Sequence, residues 1–339
     1  MQPPTEIISK WQLTEAVYAS PDAGLINDTY IVGKPPSAIL QRVNPIFGPA
    51  IHDDIEAITQ HLESQGLLTP RLVRTRGGDL CVPTPDGAWR LLTYIDGTTI
   101  HTITHPEQAA NAGALVGRFH KALANLEHVF NFLRPGAHDT VAHMRTLEAT
   151  INGCDGHPHQ SQASALAEEI LQRWNAWDGI IDLPERICHS DLKISNLRFG
   201  HDATTALCLL DLDTLSPQTL PVEMGDAWRS WCNPAGEDHP ENARFDLSIF
   251  EASAKAWLQT GPELVADERQ NLVLGIERIC LELASRFCTD AVRQTYFREN
   301  RNRFPKPGTH NLSRAASQLQ VARSVRTQRQ DAERIISAS

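Results

Sequence analysis

The chain has 339 residues, 31 Lys and Arg against 41 Asp and Glu, and a formal net charge of −10. That length suits two lobes around a sizeable core, and the acidic balance excludes general affinity for nucleic acid, which needs a basic surface. Seven Cys with no C-x-x-C pair support neither a disulfide framework nor a structural zinc site.

Residues 1–95 read as a β-rich first lobe. Runs at 25–33 and 37–43, split by Lys34-Pro35-Pro36, form a hairpin pattern. Over 50–65, Ile51, Ile55, Ile58 and Leu62 recur at helical spacing, with Gly66 as the stop. Three short strand runs follow near 71–75, 79–83 and 88–95, separated by Gly77-Gly78 and Pro85-Asp86-Gly87.

Residues 96–339 are mostly helical in pattern. Thr104 and Glu107 have capping-box spacing, and Leu115, Phe119, Leu123 and Leu126 continue one apolar stripe. Further helical patterns lie near 138–152, 160–177, 241–259, 263–288 and 311–332. The His157-Pro158-His159 cluster between them reads as a surface loop. A small β-rich lobe before a larger helical one is an α+β outline of the protein-kinase-like kind. No signal peptide and no run of about 18 apolar residues is visible, so the expectation is a cytoplasmic protein without membrane or nucleic-acid partners. Residues 286–334 carry 11 Lys and Arg against 4 Asp and Glu, which reads as a solvated helix face, with an anionic partner as the alternative.

The densest polar motif is Ile187-Cys188-His189-Ser190-Asp191-Leu192-Lys193-Ile194-Ser195-Asn196, followed by Leu209-Leu210-Asp211-Leu212-Asp213. It has the form H-x-D-x-x-x-x-N, with an Asp after an apolar strand fifteen residues beyond the Asn. Phosphoryl transfer explains these residue types, because such a site must position a hydroxyl and neutralise the charge of ATP. Asp191 accepts the hydroxyl proton in this reading, Lys193 reaches the transferring group, and Asn196 and Asp211 offer hard oxygens to Mg²⁺. His189 orders the loop. A zinc reading of Cys188, His189 and Asp191 lacks a fourth ligand.

At these residues the chain resembles the aminoglycoside phosphotransferase/choline kinase superfamily, and within it most resembles bacterial N-acetylhexosamine 1-kinases. The closer resemblance runs through Gly24-Leu25-Ile26-Asn27-Asp28-Thr29-Tyr30 and Ile39-Leu40-Gln41-Arg42-Val43-Asn44. It continues through Gly225-Asp226, Arg286-Phe287-Cys288-Thr289-Asp290, Tyr296-Phe297 and His310-Asn311-Leu312-Ser313-Arg314. It implies a nucleotide loop at Asn27, Asp28 and Thr29, and a phosphate-facing Arg42 in place of the usual kinase lysine. Glu56 would pair with Arg42, with Asp53 and Asp54 competing. Leu91–Ile95, Tyr94 among them, would be the interlobe hinge against adenine. Arg286 and Tyr296 would contact a sugar beside Asp191, and Asp226 would tie the catalytic loop in place. Ser190 stands where many relatives have Gly or Asn, and Leu192 where the hexosamine kinases tend to carry Thr, so the acceptor pocket can differ while the chemistry is kept.

Arg286 has a local alternative, a last-turn arginine at the end of the 263–288 helix. The expected activity is transfer of the γ-phosphoryl group of ATP to a hydroxyl of a small metabolite, a sugar first. The alternatives are an amino-alcohol or aminoglycoside acceptor, or a catalytically inactive nucleotide-binding regulator. No A-P-E segment follows Asp211, which argues against a protein kinase.

Overall fold

The computed structural model describes residues 3–13, 17–19 and 26–339, so Gly24 and Leu25 of the first motif lie outside the described residues. The first lobe comprises α1 (Thr5–Lys10), β1 (Val17–Ala19), β2 (Asp28–Val32), β3 (Ala38–Arg42), α2 (Ile51–Ser64), β4 (Leu72–Val73), β5 (Val82–Thr84) and β6 (Gly87–Thr93). The strands form one antiparallel sheet in the order β1-β2-β3-β6-β4, with β5 paired to the start of β6.

Strand parity gives this sheet two different faces. Tyr30, Leu40, Trp89 and Leu91 pack with Ile7 and Trp11 of α1 in a small core of their own. Thr29, Gln41 and Arg90 stand opposite one another on the other face, and Leu92 on that face packs into the main core with Ile55, Ile58 and Leu62 of α2. The apolar stripe read from α2 is therefore its buried side, each fully buried Ile or Leu contributing about 1.5–3 kcal/mol.

The second lobe begins where β7 (Thr98–Thr99) pairs with β9 (Leu197–Phe199). Its helices are α3 (Pro106–Leu123), α4 (Thr140–Asn152), α5 (Gln160–Asn175), α6 (Leu220–Trp231), α7 (Leu247–Thr260), α8 (Ala266–Arg293) and α9 (Thr309–Ser337). Two antiparallel ribbons, β8 (Glu185–Cys188) with β11 (Ser216–Thr219) and β9 with β10 (Ala206–Leu209), carry the polar motifs on their connecting loops. A small antiparallel-sheet lobe and a larger helical lobe thus follow in the expected order.

Three details differ from the sequence reading. The start of α3 is capped by Gln108, whose Oε1 accepts from the backbone N–H of Thr104 (2.9 Å) and His105 (3.3 Å), so the box lies one residue beyond the expected Glu107. The helix α6 has no predicted counterpart. From Leu220 to Arg229 each of its residues is buried, and Leu220, Met224, Ala227, Trp228 and Trp231 recur at helical spacing, a stripe that the sequence reading passed over. The basic charge of α9 is not simply solvated: Arg323 Nε meets Glu169 at 2.7 Å, and Arg326 and Arg329 meet Asp178 at 3.3 and 2.6 Å.

Glycine sets how closely α6 lies against α8. A Cβ on Gly275 would sit 1.8 Å from the Pro221 carbonyl oxygen, and one on Gly225 would sit 2.4 Å from that of Gly275. The two backbones touch, which brings the carboxylates of Glu223 and Asp226 under the catalytic loop. All seven cysteines are free thiols. Among the described residues, no helix is long and apolar enough to cross a membrane.

Candidate active site

The loop after β8 is held from below by α6. Glu223, fully buried, accepts the backbone N–H groups of His189 and Ser190, each at 2.8 Å, and lies 3.2 Å from His120 Nε2. Asp226 accepts from the N–H of Leu192 at 2.8 Å and pairs with Arg229 at 2.8 and 3.0 Å. Trp231 Nε1 donates to the Leu192 carbonyl, and His189 Nε2 sits 2.7 Å from that of Leu210. His189 and Asp226 are thus loop-ordering groups, as expected, and Glu223 is the support that the sequence did not reveal. The cluster of His120, Cys188 and Glu223 is consumed by this support. His189 and Asp191 do not join Cys188 in a metal site.

Ser190 has φ of +63° and Asp211 +58°, the left-handed region that suits Gly or Asn better. The Ser190 hydroxyl lies 2.8 Å from that of Ser216, which offsets part of the strain.

Asp191 Oδ2 accepts from Lys193 Nζ at 2.6 Å and from Asn196 Nδ2 at 3.0 Å, while Oδ1 accepts from no described residue. Burial works against ionisation of this carboxyl, but the Lys193 ammonium and its hydrogen bond outweigh it and hold the pKa down to about 2. The same pairing raises Lys193 above the ordinary lysine range despite burial. Asp191 is therefore a carboxylate throughout the ordinary pH range.

Asp211 lies two residues beyond β10 and is open to solvent. No described donor reaches its carboxylate within hydrogen-bond distance, and enclosure followed by the nearby Asp213 charge pushes its pKa up. Asn196 spends its Nδ2 on Asp191, leaving its own Oδ1 uncommitted. Two hard oxygens, one of them on a carboxylate lacking a cation, are a donor set that fits a divalent ion such as Mg²⁺.

On the first-lobe side the geometry corrects one residue. Arg42 shares its strand face with Ala38 and Leu40, on the α1 side of the sheet. It pairs with Asp28 directly across the β2–β3 ladder, Nε to Oδ2 at 2.9 Å. Glu56 does not pair with it, because Glu56 meets Arg71 and Arg74 at 3.4 and 3.1 Å, and Asp54 is engaged by the 128–132 segment. Arg90, two per cent exposed, is the cation on the cleft-side face. Its guanidinium spans Gln41 and Asp213, and Asn27 Nδ2 donates to the same Asp213 carboxylate at 2.7 Å. The sequence signal was available: a lone charge between apolar neighbours in Trp89-Arg90-Leu91-Leu92. Thr29 Oγ1 accepts from Gln41, and Tyr94 in the hinge accepts from Arg198 at 3.2 Å.

Asp191 and Lys193 also line a cavity of about 430 Å³ together with Arg286 and Tyr296, whereas Asn196 and Asp211 do not line it. Arg286 is not in the last turn of its helix, since α8 continues to Arg293, and the helix-end reading falls. Its guanidinium lies 5.6 Å from the Tyr296 ring centre and 5.5 Å from that of Phe297. Tyr296, 46% exposed, also accepts a hydrogen bond from Arg134, a lining residue that the sequence reading missed. Asp290 holds this aromatic segment by accepting the N–H groups of Thr295, Tyr296 and Phe297, and Asn311 donates to it at 3.1 Å. The terminal motifs thus frame part of the cavity wall.

Among solved structures, the chain is similar to an aminoglycoside phosphotransferase from Alicyclobacillus acidocaldarius (16% identity, TM-score 0.62, covering 98% of this chain and 97% of that one). It is similar to a microcompartment-associated aminopropanol kinase (15%, TM-score 0.64, 97% and 98%). It is also similar to an amicoumacin kinase with AMP-PNP and Ca²⁺ bound (14%, TM-score 0.62, 93% and 91%). These similarities show a common fold along nearly the whole chain. The model of the phosphotransferase enzyme family matches residues 18–261, a span holding the whole H-x-D-x-x-x-x-N loop, Asp211 and their α6 support; the chain belongs to that family and is a phosphotransferase acting on a hydroxyl acceptor.

Proposed function

We propose that this phosphotransferase is an ATP- and Mg²⁺-dependent kinase of a small hydroxylated metabolite, a sugar in the manner of the N-acetylhexosamine 1-kinases. The observation that carries the reading is the shared cavity: the carboxylate with a free oxygen, Asp191, opens onto the same space as Arg286 and Tyr296. A cationic acceptor would call for uncommitted acidic groups there, and the cavity offers arginines instead.

Asp191 Oδ1 orients the acceptor hydroxyl. The hydroxyl oxygen bonds to the γ-phosphorus as the bridging bond to ADP breaks, and the proton passes to Asp191. Where the transition state is loose the proton leaves late, so a carboxylate with a pKa near 2 serves chiefly by aiming the nucleophile. Lys193 neutralises charge on the transferring group. Asn196 and Asp211 would hold Mg²⁺, which supplies charge neutralisation on the phosphates when bound. Asn27, Thr29 and the Tyr94 hinge form the nucleotide side, whereas Asp28 shares the α1 face with Arg42, and Arg90 ties that lobe to Asp213.

The test is ADP release from purified protein across hexoses, N-acetylhexosamines, amino-alcohols and aminoglycosides. Turnover of a sugar is expected; a silent sugar set beside turnover of an amine would refute the sugar reading. The amine reading draws on the names of two similar structures, an aminopropanol kinase and an aminoglycoside phosphotransferase.

A further inference from the structure

We infer that the acceptor carries a negative charge, a carboxylate or a phosphate, at the end remote from the reacting hydroxyl. This rests on reading the cavity as the acceptor site. Its lining acids other than Asp191 are engaged from within, two by arginines and Asp290 by neutral donors. Asp226 is paired with Arg229, Asp213 with Arg90 and Asn27, and Asp290 with three backbone N–H groups and Asn311.

Two of the lining arginines lack that compensation. No described carboxylate lies within 4 Å of Arg134 or Arg293, whereas Arg286 faces the buried Glu282 carboxylate at 3.9 Å, which also accepts from Thr140 at 2.6 Å and lies 3.1 Å from His138. Arg134 and Arg286 lie 5.4 and 5.6 Å from the same Tyr296 ring centre, so they are neighbours. Arg293 follows Arg286 by seven residues on α8, two turns along one helix face, roughly 10 Å away. Arg134 and Arg293, without a paired carboxylate, line the same cavity as Arg286, and planar guanidinium forks suit either carboxylate or phosphate.

The experiment compares a neutral hexose, the matching hexuronic acid and the matching hexose 6-phosphate, by calorimetry with Mg·AMP-PNP present and by kcat/KM with ATP. The expected result is that one or both acidic sugars exceed the neutral parent by about tenfold or more, with the advantage shrinking as salt rises. The two acidic arms tell carboxylate from phosphate. In Arg134→Gln and Arg293→Gln the ratio of acidic to neutral should fall toward one. The salt series on the wild-type protein keeps the test informative if a variant fails to fold. A neutral parent that binds and reacts as well as its acids, or acids that do not bind, would overturn this inference and leave the sugar reading standing. Preference for an amine over all three would overturn both.

Discussion

The two ends of the cavity are built in opposite ways. At the chemistry end, Asp191 rests on a loop whose backbone N–H groups are held by the buried carboxylates Glu223 and Asp226, and α6 is fixed against α8 by backbone contact. At the acceptor end, Tyr296 is nearly half exposed, Arg134 and Arg286 lean on its ring, and the framing hydrogen bonds come from one aspartate, Asp290. A group that must meet a phosphorus atom to within a fraction of an ångström needs a rigid, desolvated support. A group that selects a substrate can sit on a loop and an exposed helix face, where substitution costs little stability. The difference teaches that the catalytic loop rests on buried carboxylates, while the Tyr296 segment hangs on Asp290 and stays partly exposed.

The largest effect that would break this comparison if absent is at Asp191. Asp191→Asn should lower kcat by about 10²–10⁴, some 3–5 kcal/mol of barrier, while the Kd for Mg·ATP changes far less. Steady-state kinetics beside nucleotide titration checks it. Next comes the support. Glu223→Gln replaces a two-oxygen acceptor of two N–H groups with a single carbonyl acceptor and an opposing amide N–H₂ donor. It should destabilise the fold by about 3 kcal/mol in denaturant unfolding, and kcat should fall more than the acceptor KM rises.

A smaller effect comes from pH. Hydrogen bonding to Arg323 holds the partly exposed Glu169 carboxyl down to about 2, below its ordinary 4.5. A depressed folded-state pKa gives stability that is present above about 4.5 and lost as pH falls through about 2. Glu169→Gln should therefore remove about 1 kcal/mol from thermal or denaturant stability at neutral pH and flatten the acid limb in that window. The smallest is Arg42→Ala. With its guanidinium on the α1 side and paired to Asp28, the KM for ATP should stay within about twofold and stability within about 0.5 kcal/mol. A large rise in the ATP KM would restore the phosphate-facing role.

What the sequence made legible follows the same division. Asp191, Lys193 and Asn196 lie within a few consecutive residues, and Asp211 closes the next ribbon, so local spacing alone revealed them. The lobe order and most long helices were legible because they pack one side against a core and keep the matching apolar period. The helix α6 was passed over although its Leu220, Met224, Ala227, Trp228 and Trp231 keep that period, and with it went Glu223, whose contact with the loop joins residues more than thirty apart in the chain. Arg42 was misread because the motif gives a residue type and a strand, while parity decides the face. Arg134 was missed because its partner, Tyr296, comes from 162 residues away and no local pattern joins them.

The division of labour is tested most directly by one kinetic comparison, Arg286→Ala against wild type with a confirmed acceptor, reading the KM values for acceptor and ATP in the same assay. The account predicts that the acceptor KM rises by about tenfold or more while the ATP KM stays within about twofold, because removing an arginine from the far end of the cavity takes away binding to the acceptor alone. An unchanged acceptor KM, or an equal rise in both, would contradict it.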